Sequence, residues 1–525
     1  MARAPGEVVV KPFVTGAVRI ALVSIYAVAV YTTLLLGFDL AVRAPLPFAA
    51  WLRMLVPYRL ALAAALGCAA AGAGVWAWRF AGSRLAPVLA RIDPDRGDRR
   101  VLAGTMLAGV LVRAAWVAGY PAPQTSDGAA YMDLAVKLAG GQPYYIAGQL
   151  GGFAFWPPGM PLILTPWVAM FGPAPWIPVA LNLILFAALA LACDALGRRL
   201  FNARVAAVAV AALAVWPNHV AATGLVQKEL LLAPGLALAL LWFDMALEHD
   251  SPGARRLSPW LLAALAGAVL GLCSLAQPAT WMMLWVFVLV ALWRPARIAR
   301  RAAVLAVLSG FMVITIAPWT IRNALVTGEF VMVSANAGSA IYGGNNPVNT
   351  GEIADRGNFI EPAWPLDWRT HTDVERDRAC RALAVQWIRE NPARFAQLTL
   401  QRVMLTLGDD SDAVYRSLRL GLGVSTPVYV SWKAAVNTFW LVAVVLTLPW
   451  LAGRAGRLPG SALVIVGTLM IHPVVLHDFV EGGSRHHMGT LWCYALLLGA
   501  ALVAAGGGSV AGRHSEERTA SAGGH

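Results

Sequence analysis

The sequence predicts an all-α polytopic membrane protein, and three observations predict it. Of 525 residues, 58% are hydrophobic and 13% charged, a balance that a water-soluble domain could carry only by exposing large apolar patches. The apolar residues gather into runs approaching about 20, the helix length that crosses ~30 Å of hydrocarbon. Lys and Arg fall on alternate connections between those runs, the bias that orients a membrane protein.

In order, the runs are Val14–Leu36, Met54–Trp78, Val101–Gly119, Trp176–Leu196, Val205–Val220, Leu230–Leu247, Trp260–Leu275, Ala279–Trp293, Ala302–Trp319, Ser431–Trp450, Ala462–Leu476 and Thr490–Ala505. That makes about twelve spans. The first follows Arg3 and Lys11 and shows no small-residue cleavage pattern, so it is expected to be retained and not removed as a signal peptide. One set of connections carries Arg79 to Arg100, Arg198, Arg199, Arg204, Arg255, Arg256, Arg294 to Arg301, Arg454 and Arg457, whereas the opposite short connections hold Arg43, Arg53, Lys137, Lys228 and Arg485. The basic set is therefore expected in the cytoplasm, with both termini inside. This holds only if Pro157–Gly172 does not cross. It is short and proline-rich, which suits a helix lying in the interface or re-entering from the outer side.

The net charge of +13 is thus a matter of topology; no basic patch sits on a nucleic-acid-binding motif. Cys68, Cys193, Cys273 and Cys493 lie in apolar runs and Cys380 in a polar one, giving no disulfide framework and no CxxC site. Arg far outnumbers Lys, which is present only at positions 11, 137, 228 and 433. That usage, with abundant Ala, suggests a GC-rich bacterium and hence its inner membrane, with the outer loops periplasmic.

Organisation follows the runs. Residues 1–100 hold two spans and a basic loop; 101–320 form a transmembrane core whose first outer loop is 120–172; 321–430 form an extracytoplasmic region; 431–505 add the last spans; and 506–525 read as a disordered tail. The 321–430 region is expected to be extended or turn-rich from Phe330 to Trp364, then helical near Thr372–Glu390 and Pro392–Leu407, with Pro392 suited to a first helical turn.

The unusual polar chemistry collects in the outer connections. In "TSDGAAYMDLAVKLAGGQPYY", Asp127 precedes a helical stretch. It reads either as an N-cap or as a carboxylate near the membrane surface, able to take a proton from a hydroxyl. Asp133 and Lys137 have the spacing of a surface ion pair. In "FWPPGMPLIL" the double proline forces an extended entry at Trp156, itself a natural interfacial anchor. Lys228 and Glu229 stand at the mouth of a span, where ionisable groups face a cavity or, for lysine, snorkel to the interface. Arg322 reads as a phosphate ligand or an interfacial cation, and "GGNNP", with Asn345 and Asn346, as a turn. "HPVVLHDFVEGGSRHHMG" gathers four histidines with Asp478, Glu481 and Arg485. Its spacing matches no standard metal motif, and Arg485 beside two imidazoles reads as an anion site.

Taken in order, "SDGAAYMDLAVKLAGGQPY", "FWPPGMPLIL", "GRRLF", "QKELLL", "PWTIRN…GNNPVNTG", "WIRENPARF" and "EGGSRHH" resemble the GT-C superfamily of polyprenyl-phosphate-sugar-dependent glycosyltransferases. The likeness is to the family-39-like branch, which includes protein O-mannosyltransferases, lipid A aminoarabinose transferases and rhizobial galacturonosyltransferases. It covers Val101 to Ala505. The resemblance implies a GT-C-like bundle with interfacial helices in the first outer loop and Asp127 as catalytic base. Many relatives carry a second acidic residue beside it, where this chain has Gly128, and a small residue where it has Lys228. Spans Val14–Trp78 have no counterpart in the shorter relatives and read as an N-terminal extension. The implied activity is inverting transfer of a sugar from a polyprenyl phosphate to a hydroxyl of an envelope glycan, lipid or protein. Lys228, Arg322 and Arg485 would hold the donor phosphate, and Tyr131, Asp133, Trp156, Glu229, Asn345, Asn346 and His486 would bind substrate or support the site. No organic cofactor is expected, and a divalent cation is left open. Two other classes compete: a transporter or flippase of lipid-linked sugars, which would ordinarily show repeated halves and broken charged helices, and an oligosaccharide ligase or polymerase.

Overall fold

A computed structural model of the chain describes residues 5–43, 54–93, 98–248, 257–294, 296–349, 363–453, 465–467, 469–471, 479–480, 482–508 and 510. Among them every regular element is helical. The principal helices are α1 (Pro5–Arg43), α2 (Arg59–Leu89), α3 (Arg99–Gly119), α4 (Ser126–Ala139), α5 (Gly159–Phe171), α6 (Trp176–Leu200), α7 (Ala203–Val215), α8 (Pro217–Ala221) and α9 (Lys228–Leu247). They continue as α10 (Pro259–Ala276), α11 (Leu284–Trp293), α12 (Ile298–Thr327), α13 (Ala337–Gly344), α14 (Asp373–Glu390), α15 (Pro392–Gly408), α16 (Thr426–Gly453) and α17 (Leu491–Ala505).

Nine described helices are long and apolar enough to cross a membrane, or ten if α7 and the bent continuation Pro217–Gly224 form one span. The expected count of about twelve is therefore not reached among the described residues. Ala279–Trp293 falls short because Pro278 opens it with a tight 3-10 stretch, leaving the apolar helix Pro278–Trp293 below spanning length. Ala462–Leu476 lies largely outside the described residues. Helix α5 has 13 residues, about 20 Å at 1.5 Å each, and begins immediately after Pro157 and Pro158. Its length fits a helix that does not cross.

Helix α17 is the axis of the bundle. Every residue from Leu491 to Val503 is buried, because α2, α7 and α16 close around it. A second group forms where α10 packs on α9 and α12, and α6 joins the two by contacting α7 and α9. Helix α1 lies against α2, α15 and α16.

Buried polar side chains repair the places where helices break. At Trp216–Pro217 the chain bends by 50°, and proline supplies no N–H to the preceding turn. Arg113, 1% exposed within α3, fills that gap: it donates to Ala214 O at 2.8 Å, Leu213 O at 3.1 Å and Gly109 O at 3.0 Å. It also meets His219 Nδ1 at 3.0 Å and stacks on Phe186. In hydrocarbon each orphaned carbonyl would cost several kcal/mol. Asn182 plays the same part for Thr223 O and Leu225 O, at 2.9 and 2.7 Å.

Several arginines of the basic connections are paired. Asp244, buried, is bracketed by Arg199 at 2.9 Å and Arg294 at 2.5 Å; Arg199 also reaches Glu248 at 2.6 Å, and Arg198 reaches Asp194 at 2.7 Å. In the 321–430 region, α14 starts in a capping box between Thr372 and Glu375, and α15 opens on Pro392. Helix α13 lies within the stretch expected to be turn-rich. It is held from outside: the Gly338 N–H donates to Asp377 Oδ1 at 2.5 Å, and Gly344 abuts the Val480 carbonyl so closely that no side chain would fit. All five cysteines are free, and Cys380, despite its polar surroundings in sequence, is buried.

Candidate functional site

The polar centre lies at the end of the bundle opposite the basic connections, where three segments distant in sequence meet. The first is the start of α4. Gln124 ties it to the 224–226 stretch, donating to Gly224 O and accepting from Val226 N, both at 2.7 Å. Ser126 then adopts φ 51°, the one positive φ at a non-glycine residue among those described. A left-handed serine costs about 1–3 kcal/mol and persists where surroundings over-determine it. Its consequence is the placement of Asp127 inside the first turn of α4, so the carboxylate is not the N-cap; that position belongs to Thr125.

The Asp127 carboxylate instead accepts from Arg485 Nη1 at 2.8 Å, and Arg485 Nε lies 3.9 Å from Glu229 in the first turn of α9. Burial alone would raise the Asp127 pKa. Arg485, then Arg416 and Lys228, outweigh it and hold the carboxyl well below the usual carboxylate range. Tyr131, one turn further along α4, is buried, and burial, with Asp127 and Glu229 nearby, pushes its phenol well above the ordinary value. Its ring stands edge-on to Trp156 at 5.5 Å. Gly128 explains why no second carboxylate stands beside Asp127: a Cβ there would lie 3.0 Å from Val226 O and 3.1 Å from Gln124 Oε1.

The second and third segments are "GDDSD", Gly408–Asp412, and the turn 483–490. Asp410 is fully buried and accepts from Trp216 Nε1 at 2.7 Å and Asn218 Nδ2 at 2.9 Å, with His487 Nε2 at 3.0 Å. His487 stacks on Trp440 and belongs to the same tight turn as Arg485, in which the Met488 N–H donates to Arg485 O at 3.0 Å. Asp409 pairs with Lys433 at 3.2 Å, which, against the opposing effect of burial, keeps its carboxyl below the ordinary range. Asp412 Oδ2 accepts from Gln227 and Arg416, both at 2.8 Å. Gln227 caps α9, so Asp412 links Arg416 to the helix that carries Lys228 and Glu229.

Of the residues singled out in sequence, the structure brings Asp127, Tyr131, Trp156, Glu229 and Arg485 together. Lys228 and Arg416 act on Asp127 through charge. His486 is nearly buried in the Arg485 turn. Arg322 is occupied as a staple of the first loop: it donates to Phe153 O at 2.5 Å, Tyr144 O at 2.8 Å and Asn323 Oδ1 at 3.0 Å, and stacks over Trp319. Asp133 is exposed and pairs with Lys137 at 2.7 Å. Asn345 and Asn346 are buried in a turn, where Asn345 accepts from Arg402 at 3.0 Å and Asn346 donates to Tyr342 O at 2.9 Å. Sequence reasoning passed over Asp409, Asp410, Asp412, Arg416, Lys433 and Arg113, and it took His487 only as an imidazole beside Arg485, not as the partner of Asp410. The signal for the first three was visible: three carboxylates within four residues of a chain this apolar.

No group of three or more His, Cys, Asp or Glu placed to hold a metal occurs among the described residues. Asp127 and Glu229 have Arg485 bonded to one and near the other, a donor set arranged for a guanidinium. His472, His477, Asp478 and Glu481 lie outside the described residues.

No family model and no curated protein matches this chain. Among solved structures it is similar to the Archaeoglobus fulgidus oligosaccharyltransferase in complex with Zn and sulfate, at 14% identity over 77% of this chain and 49% of that one, with a TM-score of 0.46. It is also similar to the oligosaccharyltransferase AglB from Archaeoglobus fulgidus in complex with an inhibitory peptide and a dolichol-phosphate, at 11% identity, 77% and 50% coverage and TM-score 0.44. A third is ArnT from Cupriavidus metallidurans bound to undecaprenyl phosphate, at 14% identity, 77% of both chains and TM-score 0.36. No activity follows from a likeness this distant. The chain spans about half the length of the two oligosaccharyltransferase chains.

Proposed function

We propose that the chain is an integral-membrane glycosyltransferase that moves a sugar from a polyprenyl-phosphate donor to a hydroxyl group of an envelope glycan, lipid or protein on the outer face of a bacterial inner membrane. The observation that carries this is the Asp127–Arg485 pair at 2.8 Å, with Lys228 and Arg416 adding positive charge around it. It sets a proton acceptor and an anion-binding group side by side, which displacement at a glycosyl phosphate requires. The order of sequence motifs supports the same class.

The donor phosphate competes with Asp127 for Arg485, drawing the guanidinium to itself with Lys228 alongside. Asp127, relieved of its partner, becomes a usable base. The acceptor oxygen forms its bond to the anomeric carbon from the face opposite the phosphate while its proton passes to Asp127. The anomeric carbon–oxygen bond breaks, its electron pair leaves on the lipid phosphate, and configuration inverts. Arg485 and Lys228 stabilise that phosphate as charge develops. Tyr131, kept neutral, and Trp156 form the wall beside the carboxylate.

The test is transfer of radiolabelled sugar from bacterial polyprenyl-phosphate sugars to an envelope extract, with purified wild type and Asp127→Asn side by side. Transfer by wild type, lost at least a hundred-fold in the variant, is expected. Equal transfer by both would remove Asp127 from the mechanism. Movement of lipid-linked sugar across vesicles without transfer would replace the reading with a flippase.

A further inference from the structure

One cavity takes no part in that chemistry. Between α2, α3, α7, α16 and α17 runs a groove of about 440 Å³, inside the ~300–1,000 Å³ range of small-ligand sites. Its walls are aliphatic and aromatic apart from Thr105. Along α7 it extends from Ala207 to Val215, about 12 Å at 1.5 Å per residue. It opens sideways, since Val88, Val215 and Val442 on its walls are about half exposed, at 55, 45 and 50%.

The mouth lies where α2 ends and α3 begins. Ile92 and Val101 line it, and the residues preceding them, Arg91 and Arg100, are exposed, as is Arg99. Arg204 donates to the Ile92 carbonyl at 2.9 Å. The sequence from Arg91 to Arg100 carries Asp93, Asp95 and Asp98 against Arg91, Arg96, Arg99 and Arg100, and Asp98 is committed to capping α3 through the Arg100 N–H. Cations therefore exceed carboxylates. A narrow apolar slot beneath a cationic rim, at the level where helices leave the membrane, is complementary to one acyl chain under an anionic headgroup.

We propose that this groove seats one anionic phospholipid from the leaflet on the side of the basic connections, its phosphate at Arg91 and Arg100 and one acyl chain along α7. At the far end Phe439 packs on Trp216 at 5.2 Å, and Trp216 is the indole that donates to Asp410. The lipid chain thus ends one ring away from the network holding the Arg485 turn. The site stands whether or not the transfer reaction proposed above is correct.

Native mass spectrometry of the purified full chain in detergent, with added phosphatidylglycerol or phosphatidylcholine of matched acyl chains, tests this directly. Wild type is expected to retain one phosphatidylglycerol with a roughly thirty-fold preference, the effect of two interfacial cations. Arg91→Gln with Arg100→Gln should abolish the preference; both positions are exposed, so folding is not at stake. Ala212→Leu, which narrows the slot, should lower retention of both lipids, with monodispersity on gel filtration as the folding control. Equal retention of the two lipids by wild type, an unchanged preference in the arginine variant, or displacement of phosphatidylglycerol by an added polyprenyl phosphate would each overturn the proposal.

Discussion

Arg485→Gln separates stability from chemistry more sharply than any other single change. It removes a guanidinium 2.8 Å from Asp127 and 3.9 Å from Glu229, leaving two carboxylates with Lys228 and Arg416 as the remaining nearby cations. A unit charge pair at about 4 Å is worth ~4 kcal/mol at an effective dielectric constant of 20. About a quarter of the Asp127 side chain is exposed (24%), and the remaining cations compensate in part. The folding cost is therefore set at about 2 kcal/mol, below the ~3–5 kcal/mol of a fully buried pair. The protein should still insert and purify. The rate should fall much further, by ~10²–10³, because in the proposed reaction the lost charge faces the departing phosphate. Single-turnover transfer from a polyprenyl-phosphate sugar reads this, in a cycle with Asp127→Asn. Both residues serve one step, so the double variant should be little slower than Asp127→Asn alone. The pH profile gives a second reading. In the free protein the Asp127 pKa is depressed, so its contribution to stability is present above the unfolded carboxylate value and is lost only as pH falls through the folded value. Without Arg485, burial is less opposed, and the acid limb of kcat/KM should move to higher pH. Arg485→Gln activity within threefold of wild type, with an unmoved acid limb, would refute the reasoning.

Asp410→Asn leaves one acceptor where Trp216, Asn218 and His487 converge. Thermal inactivation in detergent should show about 2–3 kcal/mol of destabilisation, and the apparent KM for donor should rise at least about ten-fold as the Arg485 turn loosens; unchanged inactivation would mean the network is not as described. Gly128→Ala forces a methyl against Val226 O and Gln124 Oε1 and should cost about 1–3 kcal/mol by the same measurement, with transfer reduced alongside. Asp133→Ala breaks only an exposed helical pair, so stability should change by less than about 0.5 kcal/mol and transfer by less than about twofold. A large loss of transfer would bring Asp133 into the site.

Legibility in the sequence followed length scale. Long apolar helices and the α14–α15 break could be placed because a span needs only composition and a cap only a local motif, as at Thr372 and Pro392. Arg113 was invisible because one cation does not spoil a 20-residue window, and its partners, the carbonyls of Leu213 and Ala214, lie at a bend a hundred residues away. Arg322 and Arg485 were both readable as anion ligands in sequence; only tertiary packing gives one to the carbonyls of Tyr144 and Phe153 and the other to Asp127. Asp127 could be singled out, and the family resemblance set Lys228 and Arg485 beside it; Arg416, the third cation that shifts its pKa, sits in a segment that nothing local ties to the first loop.

That neighbourhood imposes two opposed demands on one carboxylate. A base must be free to accept a proton at neutral pH, yet a carboxylate so largely buried is costly unless a cation faces it. On the proposed mechanism, Arg485 meets the second demand and defeats the first while the donor is absent. An arriving phosphate removes the conflict only if the guanidinium can turn from one anion to the other without losing its place, which requires the backbone beneath it to be fixed. The buried Asp410–His487 contact supplies that fixture: it ties the 483–490 turn to Trp216 and Asn218, at the bend of the chain between α7 and α8. Asp127 is fixed independently, by the Gln124 staple and the left-handed Ser126. With both ends anchored, exchange of partners at Arg485 needs only side-chain rotation. The acid and the cation are therefore held by separate networks, and loosening either network should slow transfer without touching the reacting groups.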